Sequence, residues 1–188
     1  MWQPRRLVGA LFALVSAILL LVSPFYPLFI GRLISSTANF TMTFDGWGFE
    51  TDAPARVGAI VVNAYGLIFA AVMLFVATIL TFVGARIAAT QGNRRVAATS
   101  MAIAAAFTLG VAVTVLPQLT NWMDTFRATG LPGARVDTTV GLGFWMMAAG
   151  TFLALAATAI AGLPTRYREP ETPPSGIAVP VQPPADES

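Results

Sequence analysis

The chain has no cysteine, no histidine and no lysine. Without cysteine there is no disulfide, no thiolate nucleophile and no thiolate metal ligand. Without histidine the commonest general base and the commonest metal ligand are missing. All eleven basic residues are arginine. Together with the abundance of Ala, Gly and Val, this points to a high-GC, bacterial genome. Charge is scarce: 11% of the 188 residues are charged, against about 25% in an ordinary soluble domain. The formal net charge of +2 is too small to argue for nucleic acid as a partner. No Ser-His-Asp set, phosphate loop or metal cluster is present. The sequence therefore predicts no catalytic residues, no cofactor and no metal, and so a protein that is not an enzyme.

Charge is missing altogether from four apolar stretches, at roughly 7–30, 57–85, 96–116 and 139–163. Each reaches the ~20 residues that a helix needs to cross a bilayer. The predicted fold class is an all-α membrane protein. It is a four-transmembrane-helix bundle with a small β-hairpin in the first extracytoplasmic loop. Residues 1–163 form the membrane domain, with outer loops at 31–56 and 117–138. Residues 164–188 carry seven prolines and no apolar period, which predicts a disordered cytoplasmic tail. The first stretch reads as a span and not a cleaved signal. Bulky Phe25 and Tyr26 and two prolines follow it, with no small-residue cleavage site.

Arginine placement sets the orientation. Arg5, Arg6, Arg86, Arg94, Arg95, Arg166 and Arg168 fall on one side, and Arg32, Arg56, Arg127 and Arg135 on the other. The positive-inside rule then places both termini in the cytoplasm, with the chain multi-pass in the plasma membrane. No span holds an ionisable residue, unlike the spans of most ion-coupled transporters.

The first outer loop alternates polar and apolar residues over Asn39–Phe44, turns at Asp45-Gly46, and alternates again over 47–51. A two-residue turn would set Phe44 opposite Trp47, Met42 opposite Phe49 and Phe40 opposite Thr51. All six side chains would share one face. In the second outer loop, Trp122 and Phe126 have helix-like spacing, which predicts a short interfacial helix after a third span that ends at Pro117. Phe44, Trp47, Phe49, Trp122 and Phe126 are the candidate interaction residues. Within the spans, small residues recur every fourth position. Ala102, Ala106 and Gly110 do so on the third, Gly150 and Ala154 on the fourth. Such stripes let helix backbones approach closely in lipid. Spans joined by a short loop usually pack together, so the third is expected against the fourth. A seam for a second copy or another membrane protein is the alternative. Asn63 is expected to hydrogen-bond across to a neighbouring helix.

The layout resembles the claudin-like tetraspan membrane proteins. These carry W-G-L-W followed by two cysteines in the first outer loop, and an Arg just before the second helix. Trp47-Gly48-Phe49 matches the start of that motif, and Arg56 sits just before the second span. Glu50 replaces the second Trp, and both cysteines are absent. The resemblance implies an outer sheet that mediates contacts. These features together predict a non-enzymatic membrane scaffold or accessory subunit. Its partners would be the lipid bilayer and another integral membrane protein or a second copy of itself. A small oligomeric transport or lipid-handling protein is the alternative.

Overall fold

A computed structural model describes residues 3–35, 39–52, 62–86, 89–128 and 135–162. The tail from 164 onwards, Arg56, and the predicted beginning of the second span lie outside the described residues. Four helices are long and apolar enough to cross a membrane. They are α1 (Pro4–Val22), α2 (Ala64–Gly84), α3 (Gln91–Ala128) and α4 (Leu142–Gly162). Helix α1 packs against α4 and α2, α2 against α3, and α3 against α4, which closes a four-membered ring.

The interior of the ring is made largely of alanine. Ala10, Ala13, Ala17, Ala70, Ala71, Ala77, Ala104, Ala105, Ala154 and Ala157 are all buried. Their outward neighbours, such as Val15, Ile18, Phe75, Val76 and Phe152, are large and exposed. This is the inverse of a soluble bundle. Lipid solvates large apolar side chains, so close backbone approach between small ones drives packing instead. Four buried threonine hydroxyls are satisfied locally. Thr78, Thr81, Thr108 and Thr151 each donate to the carbonyl four residues earlier, at 2.8 Å. An unpaired group in hydrocarbon would cost several kcal/mol.

One end of the bundle carries a four-stranded antiparallel sheet, not the single hairpin expected. Its order is β3-β2-β1-β4, with β1 at Phe29–Ile34, β2 at Asn39–Phe44, β3 at Phe49–Thr51 and β4 at Arg135–Val140. Two of these strands were hidden inside apolar runs. Phe29 and Ile30 were expected in the first span and Thr139 and Val140 in the fourth. The first span instead ends at Val22, followed by a short 3-10 turn at Ser23–Phe25 that contains Pro24. Proline cannot donate to the helix ladder. Gly141 donates to the carbonyl of Leu28 and Gly143 to that of Pro27. A Cβ at either glycine would collide with backbone of the 26–27 segment. This close crossing places β4 beside β1 and starts α4 only after the strand.

Helix α3 does not end at Pro117. It runs through that residue to Ala128, so the predicted interfacial helix is its continuation. Pro117 is exposed. It removes only one N–H, and the Thr120 hydroxyl donates to the Pro117 carbonyl at 3.0 Å. Beyond it, Leu119 and Phe126 are buried. Burying them, Phe126 against the sheet, offsets the cost of an internal proline, about 3 kcal/mol.

Candidate functional site

The last turns of α3 lie on one face of the sheet and build an aromatic cap. Trp122 stacks over two phenyl rings, with centroids 6.3 Å from Phe44 and 6.2 Å from Phe49. Phe126 meets Phe29 and Phe40 edge-on, at 6.0 and 6.4 Å. Gly31 makes this possible: a Cβ there would stand 2.7 Å from the Phe126 ring. Between these rings, Met42 and Thr125 lies an apolar cavity of about 160 Å³.

Four of the five candidate interaction residues thus come together: Phe44, Phe49, Trp122 and Phe126. Trp47 does not join them. The hairpin register is two residues from the one expected, with Phe44 opposite Phe49 and Met42 opposite Thr51. Trp47 therefore falls in a four-residue loop. Asp45 Oδ1 accepts from the backbone N–H of Trp47 at 2.8 Å and of Gly48 at 2.9 Å. Gly46 donates to the Pro24 carbonyl, and its own carbonyl accepts from Ala64 at 2.7 Å. A Cβ on Gly46 would lie 2.5 Å from Pro24 Cβ. The loop is pinned between the end of α1 and the start of α2, and that docking overrides a two-residue turn. Because the slip is by two residues, the other side chains keep their face.

Trp47, 41% exposed, instead contacts the rings of Phe25 and Tyr65 at 5.6 and 5.9 Å. Tyr26 and Trp145 are also exposed at this end of the helices. Aromatic rings at this level form the belt that membrane proteins place at the lipid–water interface.

The two small-residue stripes part company. Gly150 and Ala154 are buried, and Gly150 lies against α1. A Cβ on Gly150 would stand 3.1 Å from Leu20 Cγ, and the Ser16 hydroxyl donates to the Gly150 carbonyl at 2.6 Å. Ala102, Ala106 and Gly110 are exposed. Helix α3 presents its neighbouring stripe, Met101, Ala104, Ala105, Thr108, Ala112 and Val115, to the interior. Ala106 and Gly110 line an open groove of about 520 Å³ beside α2, whose wall includes Gly66 and Val111. Asn63 stands at the sheet end of the groove, and its Nδ2 donates to Gln118 Oε1 of α3 at 2.9 Å. Asn63 thus takes the cross-helix role expected of it.

Phe29 was missed as a cap residue because it sits within an unbroken apolar run, and Gly31 because it was read as the first residue of the outer loop. The strand signal, Gly31-Arg32 followed by Leu33-Ile34, is weak. Among the described residues, no three acidic side chains converge into a set able to hold a metal ion. No family model matches the chain, and no curated protein matches it.

Proposed function

We propose that the protein is a non-enzymatic membrane scaffold or accessory subunit. It associates through the α2–α3 groove with a helix of another integral membrane protein or of a second copy. The carrying observation is the stripe Ala102-Ala106-Gly110, which lies exposed among the described residues. In lipid every outward face is apolar, so hydrophobicity does not distinguish an interface. Small residues do, because they let a partner backbone approach. The arginine distribution supports cytoplasmic termini, which would put the aromatic cap outside. The claudin-like resemblance fits an outer sheet that makes contacts.

The groove also supports the second reading, a lipid-handling or transport role, since its largely apolar lining suits an acyl chain. One substitution separates the two. A Cβ on Gly110 meets nothing within 4 Å, so Gly110→Leu fills the groove without disturbing the ring. Partner co-purification, or self-crosslinking through a cysteine introduced at Ala106, should then fall. If associations persist while bound lipid is lost, the lipid-handling reading replaces the scaffold. Labelling of a cysteine at Ser175 by an impermeant reagent in intact cells would overturn the orientation.

A further inference from the structure

Between α3 and the sheet lies the cap cavity of about 160 Å³. Its floor is the buried rings of Phe29, Phe44 and Phe126. Its rim is half-buried Met42, Phe49 and Trp122 together with exposed Thr125, so the cavity opens at the surface. Two braces set the gap. The Phe126 ring sits over Gly31, where a Cβ would collide with it. The Arg127 guanidinium donates to the Thr138 hydroxyl of β4 at 2.9 Å. Register fixes the opposite wall, with Phe44 directly across from Phe29 on β1 and from Phe49 on β3.

Packed interiors hold few voids larger than a water molecule. Water is a poor filler here, because it needs roughly two to four polar partners. Of the lining side chains only Thr125 and Trp122 carry a nitrogen or oxygen atom. The Thr125 hydroxyl already donates to the Asn121 carbonyl at 2.7 Å. The walls favour a particular filler. Five of the lining residues are aromatic, and a further ring can meet them edge-to-face or offset-stacked, as an aliphatic group cannot. The Met42 sulfur adds a favourable contact to an aromatic edge. Size agrees: a cavity of about 150 Å³ engineered into another protein binds benzene. The direction of entry follows from α3. Gln118 bonds to Asn63 at the sheet-side end of α2, and Trp122 to Phe126 stand about 6–12 Å further along at the helical rise per residue. The mouth therefore lies on the water side of the aromatic belt, away from the acyl chains.

We propose that the cap binds one phenyl-sized aromatic ring, presented from the aqueous phase by a small aromatic molecule or by a phenylalanine side chain. The site is separate from the α2–α3 groove, so its failure and the scaffold's are read in different assays. Full-length protein in lipid nanodiscs, isotopically labelled at its methionine methyl groups, tests this by NMR. A bound ring should move the Met42 methyl signal through its ring current and leave buried Met101 and Met147 of the spans in place. N-acetyl-phenylalanine amide probes the side chain and phenol the free molecule. Whichever moves Met42 assigns the source; if neither does up to its solubility limit, the proposal is overturned. N-acetyl-cyclohexylalanine amide is more hydrophobic than its phenyl counterpart, yet should bind about ten-fold more weakly, the scale of one good ring–ring contact. Equal or tighter binding would show a merely apolar pocket and overturn the aromatic assignment. Thr125→Leu, at an exposed position on the rim, should crowd the mouth and abolish the Met42 shift. An unchanged shift would place the ring elsewhere and overturn the site. The phenyl–cyclohexyl comparison on the native chain stands even if that variant fails to fold. Contacts from lipid acyl protons to the Met42 methyl would show that a lipid tail fills the cavity, and would also overturn it.

Discussion

On α4, Gly150 and Ala154 lie buried, Gly150 against α1 with its carbonyl accepting from the Ser16 hydroxyl. On α3, Ala102, Ala106 and Gly110 have the same four-residue spacing and lie exposed beside a groove. The spacing shows that a backbone could come close, but not which backbone does. What decides is the rest of the face. Along α4, Gly150 and Ala154 run on into buried Ala157 and Ala161, so the stripe continues as a packed seam. On α3 a second small-residue face, Ala97, Ala104, Ala105 and Ala112, competes for the interior. That face is the one buried, together with Met101 and Val115. The stripe displaced by one position is left outside.

The largest expected effect concerns the cap, which contrasts with both stripes because it is held by large side chains. Phe44 is 1% exposed and stacks on Trp122. Phe44→Ala should cost ~3–5 kcal/mol, the usual range for deleting a buried phenyl ring. Trp47→Ala should cost much less, because that ring is 41% exposed. Reversible unfolding of both variants in micelles checks the ranking. A larger loss for Trp47→Ala would place Trp47 back on the packed face.

Next is the buried stripe itself. Gly150→Leu drives a side chain into Leu20 and the Ser16 carbonyl, which a Cβ alone would approach to 3.1 and 3.4 Å. Overpacking of this kind costs about 1–3 kcal/mol. A neutral result would mean that α1 and α4 can part without penalty, and the comparison between the stripes would collapse.

The four spans were legible because an uncharged apolar run of bilayer length is seldom anything but a membrane helix. Their ends were not. Phe29, Ile30, Thr139 and Val140 are apolar or β-branched and suit a strand as well as a helix, so the runs concealed β1 and β4. What assigns them to strands is tertiary: the backbone crossing at Gly141 and Gly143. The continuation of α3 was concealed by Pro117, a strong local stop signal that burial of Phe126 overrides. In the cap, alternation alone identified Phe40, Met42, Phe44 and Phe49 as one face, and helical spacing identified Trp122 and Phe126. The position of Trp47 depended on a loop docked against Pro24 and Ala64, which no local pattern encodes. The partners of the two stripes were equally illegible, because spacing carries no address.

A smaller effect belongs to the groove's polar end. Asn63→Ala removes the bond from Asn63 to Gln118 across α2 and α3. Interhelical side-chain bonds in membranes are worth ~0.6 kcal/mol on average. A loss near that size in unfolding measurements fits a tether. A loss several times larger would mean that the pair holds the groove open against the close approach of Gly66 and Val111.

The smallest effect sharpens the comparison most, because it should carry the opposite sign. Gly110 has open space where its Cβ would be, whereas Gly150 faces Leu20. Gly110→Ala relieves the entropic cost of glycine inside a helix and touches no neighbour. It should raise stability, by no more than the ~0.5 kcal/mol typical of a free surface position. Gly150→Ala, the same change in chemistry, should lower it. If both substitutions destabilise the isolated protein, the α3 stripe already has a partner, such as a second copy in the micelle. Dilution would then separate the cases. A loss that fades at low protein concentration marks self-association, and a loss that does not marks packing within the ring.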